Sequence, residues 1–219
     1  MKKQTLFLFL CGLCLWMNTA TAIEYNVLRH GVVGDGKTLN TDSLQAAIDE
    51  LHASGGGQLY FPAGRYLTGS LQLKSNVVLY LEKEAVLLGS TSPYDYPGFS
   101  TEKELKVNDD HFDQALIYAE GAENIGIMGE GCIDGQGRKL ALTIDSLHHT
   151  GELVDKHYNT YRKRPNTRPK LLFIRGCRNV EIRNARLRSS AAWGLSFSLC
   201  SDLTLDSLHV ENRAYWNND

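Results

Sequence analysis

From Gln58 to Leu205 the chain runs in short alternations of apolar and polar residues, each broken by Gly, Asn or Ser. Leu59-Tyr60-Phe61, Leu71-Gln72-Leu73, Val77 to Leu81, Ala85 to Leu88, Ile125-Gly126-Ile127, Leu171 to Ile174, Val180-Glu181-Ile182 and Leu203-Thr204-Leu205 are such runs. A period of two places alternate side chains on one face of a strand. Upstream, Tyr25-Asn26-Val27 begins in the same way, and Gly34-Asp35-Gly36 marks a tight turn. A different period follows: Leu44, Ala47, Ile48 and Leu51 share one helical face, with Thr41 at the expected N-cap and Gly55-Gly56-Gly57 beyond the end. This predicts one amphipathic helix over 42–53, and no second helical period. Between Gln136 and Pro169 the alternation lapses, which predicts a long loop carrying His148, His149, His157, Arg162, Lys163, Arg164 and Arg168.

The chain also repeats itself. A shift of 23 residues lays Leu172 on Leu195, Ile174 on Phe197, Cys177 on Cys200, Val180 on Leu203, Ile182 on Leu205 and Leu187 on Val210. Ala191 falls on Ala214, Trp193 on Trp216, and the turn residue Asn179 on Asp202. Looser copies begin at Asn76 and Asn124. Apolar positions that match at one fixed offset predict a solenoid, in which each coil of roughly three strands stacks on the last at about 4.8 Å. A β-sandwich would also show short alternating strands, but it does not require a side-chain match at fixed offset. The fold class expected is therefore all-β, a right-handed parallel β-helix, with the short N-terminal helix capping its open end.

Composition narrows the function. The 219 residues are 42% apolar and 22% charged, with a formal charge of −2. That is enough chain for one sizeable core, and no basic excess supports nucleic-acid binding. Lys2 and Lys3, the apolar run Leu6 to Met17, and Ala20-Thr21-Ala22 have the three parts of a cleaved secretory signal over residues 1–22. The apolar run is short for a membrane span, so no membrane insertion is expected after cleavage, and the mature protein is expected in the periplasm or outside the cell. Loss of 1–22 would leave 21 basic against 25 acidic residues, a charge of −4, and three cysteines: Cys132, Cys177 and Cys200. Cys177 and Cys200 sit one coil apart, where export permits a disulfide and straight stacking favours two buried thiols.

Particular words in the chain resemble a known family. Phe61-Pro62-Ala63-Gly64-Arg65-Tyr66, Lys74-Ser75-Asn76-Val77, Ile133-Asp134-Gly135-Gln136-Gly137, Arg168-Pro169 before Leu171-Leu172-Phe173, and Asn212 to Asp219 together resemble glycoside hydrolase family 28, the polygalacturonase family. The resemblance implies a pectin-degrading glycosidase acting on a pectic polysaccharide or oligogalacturonide, with water and Asp carboxylates and no cofactor. It implies that Asp219, in Asn217-Asn218-Asp219, matches the family's Asn-x-Asp motif and is a catalytic carboxylate, with Asn217 orienting it. The family's paired Asp, Gly-His-Gly and Arg-x-Lys come later in its members, and none of these hallmarks is in this chain. Residues 23–219 are accordingly expected to be the N-terminal part of one β-helix domain, inactive alone and monomeric when full length. Trp193 and Trp216 are candidate sugar platforms or a packed aromatic pair, and Arg168, Lys163 and Arg164 are candidate partners for an acidic sugar. Asp109-Asp110-His111 is expected in a solvated loop, and the histidines lack the fixed frame a metal site needs, so no metal is expected. Two other functions suit the same fold: a polysaccharide lyase, which would need Ca²⁺ and a base for the C5 proton, and a non-catalytic adhesin or carbohydrate-binding module.

Overall fold

The computed structural model describes residues 23–97, 114–153 and 168–213. Three parallel sheets run side by side along one axis. The first contains β1 (Ile23–Asn26), β3 (Gly57–Phe61), β6 (Val77–Leu81), β9 (Glu123–Met128), β12 (Arg178–Arg183) and β15 (Ser201–Asp206). The second contains β2 (Asp35–Leu39), β4 (Gly64–Thr68), β7 (Ala85–Gly89), β10 (Cys132–Asp134), β13 (Arg186–Arg188) and β16 (His209–Glu211). The third contains β5 (Leu71–Gln72), β8 (Ala115–Glu120), β11 (Lys170–Arg175) and β14 (Leu195–Ser198). From β3 onward the chain visits first, second and third sheet in that order on each turn, which makes the molecule a parallel β-helix, right-handed as parallel crossover connections are.

The core is a set of columns. In the first sheet Leu59, Leu79, Ile127 and Ile182 lie one above another and end in Leu205. In the second, Tyr66, Leu87, Ile133 and Leu187 do the same and end in Val210. In the third, Leu71, Ile117, Leu172 and Leu195 form the column. The predicted partners Val180 and Leu203 are register neighbours. Alternate residues point inward because the strand period is two, and each inward side chain is covered by its own counterpart in the next coil.

The turn from third to first sheet repeats as strictly as the core. Asn76, Asn124, Asn179 and Asp202 all adopt left-handed backbone, with φ between 53° and 65°. Asn tolerates that conformation better than most side chains. Asn124 Nδ2 donates to Asn76 Oδ1 at 2.8 Å, and Asn179 Nδ2 donates to Asn124 Oδ1 at 2.9 Å. Asp202, 23 residues after Asn179, keeps the same left-handed backbone one coil beyond this ladder.

The predicted helix is α1 (Thr41–Ala53), with Leu44, Ala47, Ile48 and Leu51 buried. It stands between β2 and β3, where the first coil would otherwise place a third-sheet strand. It closes the edge of β5 by imitating a strand: Gln72 N–H donates to Gln45 Oε1 at 2.8 Å, and Gln45 Nε2 donates to Gln72 O at 3.1 Å. Thr41 is not the N-cap as expected, because it is already helical and Asn40 precedes it. The Thr41 hydroxyl instead accepts from Gly69 N–H at 2.7 Å, so it serves the next coil.

The expectation of a loop from 136 to 168 and of a single helix is corrected. Gly137–Thr150 is α2, which buries Leu140, Ala141 and Ile144 and ends at Gly151 in left-handed backbone. Leu140, Ile144 and Leu147 have helical spacing, but the polar residues among them obscure it. α2 lies between β10 and β11, and a short 3₁₀ turn at Pro93–Asp95 lies between β7 and β8. Both departures therefore leave the solenoid between the second and third sheets. Residues 98–113 and 154–167, outside the described residues, belong to the same two connections.

Three tyrosines make the core sensitive to base. Burial pushes the Tyr66 phenol up to about 12, and burial also raises Tyr96 and Tyr118. An unfolded tyrosine ionises near pH ~10, so stability is full below that pH and is lost as pH rises through about 12, where the unfolded chain releases protons the fold retains. Urea unfolding midpoints measured from pH 8 to 11.5 are expected to fall above pH 10. Tyr66→Phe is expected to make that fall shallower, and an unchanged slope would refute the assignment.

Candidate active face

The outer surface of the third sheet gathers the described site residues. Its middle column is Gln72, Tyr118, Phe173 and Ser196, alternating with the buried Leu172 and Ile174. Two residues further along these strands, Arg175 pairs with Glu120 at 3.3 Å. The Tyr118 hydroxyl donates to the same Glu120, which together with burial keeps that phenol protonated.

At the start of these strands lies a cationic rim. Trp193 is 37% exposed. Directly beneath it in the preceding coil is Lys170, since Leu171 N–H donates to Trp193 O at 3.0 Å and Leu172 pairs with Leu195. Lys170 is only 4% exposed, and its Nζ sits 3.9 Å from the Phe173 ring centroid and 5.1 Å from that of Trp193. Sequence reasoning missed Lys170, because a lysine in a polar stretch reads as surface; the signal was its offset of 23 from Trp193. Arg168 is likewise 4% exposed, and its Nη1 donates to Ala191 O at 2.7 Å. It ties the chain re-entering the third sheet to the coil above.

The corner behind this rim is tightly built. Asp134, 8% exposed, accepts from Arg188 Nε at 3.0 Å and Nη2 at 2.9 Å through Oδ2, while Oδ1 accepts from Gln136 N–H at 3.0 Å. Gln136 Nε2 reaches back one coil to Gly89 O at 2.7 Å. α2 starts against the next coil so closely that a Cβ on Gly137 would lie 2.2 Å from Ser190 O. The Ile133-Asp134-Gly135-Gln136-Gly137 motif is therefore a device for turning the chain and launching α2.

Of the residues expected in the site, Trp193 and Arg168 stand together at this rim. Trp216, Asn217 and Asp219 lie outside the described residues, as do Asp109-Asp110-His111, His157, Lys163 and Arg164. His148 and His149 are on α2. Among the described residues no three of His, Cys, Asp or Glu come together to hold a metal ion. The thiols of Cys132, Cys177 and Cys200 are free. Cys177 Sγ lies 3.2 Å from Arg175 O, and burial pushes its thiol up. A shallow groove lined by Val86, Cys132, Arg186, Arg188, His209 and Glu211 lies on the second sheet and is separate from the rim.

Comparison with known proteins places this face in context. Residues 58–219 match the family described as Glycosyl hydrolases family 28. The chain is 35% identical over 175 residues to a probable polygalacturonase of Vitis vinifera, covering 75% of this chain and 32% of that protein. It is 30% identical over 211 residues to an exo-poly-alpha-D-galacturonosidase of Dickeya chrysanthemi, covering 82% and 35%. The chain thus spans about a third of the length of these curated relatives. A solved family 28 exopolygalacturonase of Yersinia enterocolitica superposes with a TM-score of 0.73 at 28% identity, over 90% of this chain and 40% of that one.

The Asp134–Arg188 pair gives a stability test for the corner. Removing Arg188 leaves a mostly buried carboxylate without its cation, so Arg188→Leu is expected to cost about 1–2 kcal/mol in urea unfolding. Adding Asp134→Asn should recover part of that loss. A double variant as unstable as the sum of the two singles would show that the pair does not act as one unit.

Proposed function

The chain belongs to family 28 of the glycosyl hydrolases, and from that premise we propose that it forms the first coils of an exported enzyme that hydrolyses pectic polysaccharide, with Asp219 as the water-activating carboxylate. The observation that carries this is the column Gln72, Tyr118, Phe173, Ser196 on the outer face of the third sheet. One more step of the 23-residue repeat runs from Ser196 to Asp219, from Gly194 to Asn217 and from Trp193 to Trp216. On this reading the repeat assigns Asp219 the register of the outer column that Ser196 occupies.

The chemistry follows from the spacing. Inverting hydrolysis needs a base that takes a proton from water and an acid that protonates the leaving oxygen, with about 6.5–9.5 Å between them. Carboxylates on neighbouring coils are displaced by multiples of about 4.8 Å, so one coil plus a lateral offset reaches that gap. Water attacks the anomeric carbon from the Asp219 side, its proton passes to Asp219, and the departing oxygen takes a proton from the second carboxylic acid. Asn217 orients the base. No cofactor enters this balance. The substrate class is supported by the names of the relatives, a polygalacturonase and an exo-poly-alpha-D-galacturonosidase. Export is supported by the signal-like residues 1–22.

The 219-residue chain alone is expected to release no reducing ends from polygalacturonate. A chain continued to the length of its relatives is expected to release them with inversion at the anomeric carbon, seen by proton NMR. Asp219→Asn in that longer chain should lower the rate roughly 10²–10⁴-fold. An unsaturated product absorbing in the ultraviolet would overturn hydrolysis in favour of elimination, and an Asp219→Asn variant with unchanged rate would overturn the assigned base.

A further inference from the structure

We propose that Arg175 is a specificity-determining residue on the outer face of the third sheet, where it receives the carboxylate of an acidic sugar unit. The inference deepens the reading of that sheet as the face that meets a pectic chain, and rests on it. It assigns a role to an arginine that no motif of the chain marks.

Its place in the fold comes first. Arg175 and Phe173 are two residues apart on β11, so both side chains leave the same, outward face. Their register neighbours in the preceding coil are Glu120 and Tyr118 on β8. In the following coil they are Ser198 and Ser196 on β14, both short, and Ser198 is exposed. All six residues sit on strands of the solenoid, so the backbone beneath the cation is fixed by the ladder on both sides.

The hydrogen-bond account then singles out the cation. A guanidinium carries five N–H donors and stays charged at every pH the fold meets. Among the described residues the Arg175 side chain meets one acceptor, Glu120 Oε1, at 3.3 Å from Nη1. Yet only 20% of that side chain is exposed, against 38% for Glu120. A charged group largely withdrawn from water calls for acceptors, and here one long contact supplies them. Glu120 is held from its other side, because its Oε2 accepts from the Tyr118 hydroxyl. Tyr118 thus orients Glu120, and Glu120 orients the guanidinium through Nη1. Nε and Nη2 form the opposite edge of the fork.

That edge decides the ligand. Two parallel N–H donors match the two oxygens of a carboxylate, and such a pair is stronger than hydrogen bonds between neutral groups. A sugar hydroxyl, or an esterified uronate, offers neither the charge nor the second equivalent oxygen. The Arg175–Glu120 contact itself is a partly exposed ion pair, which contributes little to stability. Arg175 therefore discriminates between acidic and neutral units of a chain lying on this face, without taking part in bond cleavage.

Calorimetric titration of the 219-residue chain tests this by comparing trigalacturonate with its fully methyl-esterified form. The free acid is expected to bind about 10-fold more tightly than the ester. Arg175→Gln is expected to abolish that preference by weakening the acid alone. Arg175→Lys, which keeps the charge and loses the fork, is expected to keep a preference of about 3-fold. Equal weakening of acid and ester in Arg175→Gln would mark a structural role and overturn the assignment. A preference that survives Arg175→Gln, or a parent chain that binds neither ligand, would overturn it too. The hydrolase reading has a separate readout in the longer chain. Hydrolysis of polygalacturonate there, with an acid preference that Arg175→Gln leaves unmoved, sinks the role of Arg175 alone. An Arg175-dependent preference in a longer chain that does not hydrolyse sinks the hydrolase alone.

Discussion

The whole molecule depends on one constraint: each coil must lie in register on the one before it. Parallel strands stacked at about 4.8 Å give every side chain its own counterpart as a neighbour, so a position is buried, turned or exposed in all coils together. Leu199 shows how strong this is. It takes left-handed backbone with φ of 54°, where Gly121 and Gly176 stand in earlier coils. A leucine pays roughly 1–2 kcal/mol for that conformation, and stacking imposes it nonetheless. The edge that stacking leaves open at β5 is closed by the Gln45 amide, which presents one donor and one acceptor as a strand would.

Register also decides where the chain can vary. The turn from third to first sheet is tied by the Asn76, Asn124 and Asn179 ladder, and the turn from first to second repeats left-handed backbone at Asn184 and Ser207. Among the described residues the connection from second to third sheet bears no such ladder of side chains, and both long departures occur there. Asp134, Arg188 and Gln136 brace that corner so the chain can leave and return without disturbing the strands on either side. Repeated left-handed corners at two turns and long connections at the third put the inserted structure next to one face of the solenoid.

This explains what the sequence disclosed and what it hid. The pairing of Val180 with Leu203 and of Leu187 with Val210 was legible, because stacking converts a spatial contact into a fixed offset. The α1 face at Leu44, Ala47, Ile48 and Leu51 was legible for the usual helical reason. α2 was hidden, because only a narrow stripe around Leu140 and Ile144 is buried and the surrounding Arg138, Lys139, His148 and His149 suggest a solvated loop. Thr41 was misplaced by one residue because its hydroxyl serves Gly69 across coils, a contact with no local signature. Lys170 was invisible as a special residue, since a lysine in a polar stretch reads as surface, whereas the fold buries it with its ammonium over Phe173 and near Trp193.

Charge supplies the last link between the rim and catalysis. If Asp219 is to activate water, it must stay ionised while a polyuronate, itself anionic, lies across it. Two like charges about 10 Å apart in a medium of effective dielectric near 20 repel by about 2 kcal/mol, which is enough to weaken binding more than tenfold. Cations at a similar distance return an attraction of the same size. Lys170 and Arg168 are buried in the solenoid wall beside this face, where Arg175 pairs with Glu120. A mobile surface lysine would be screened by salt and would lose side-chain entropy on engagement, whereas a buried one is screened less and already ordered.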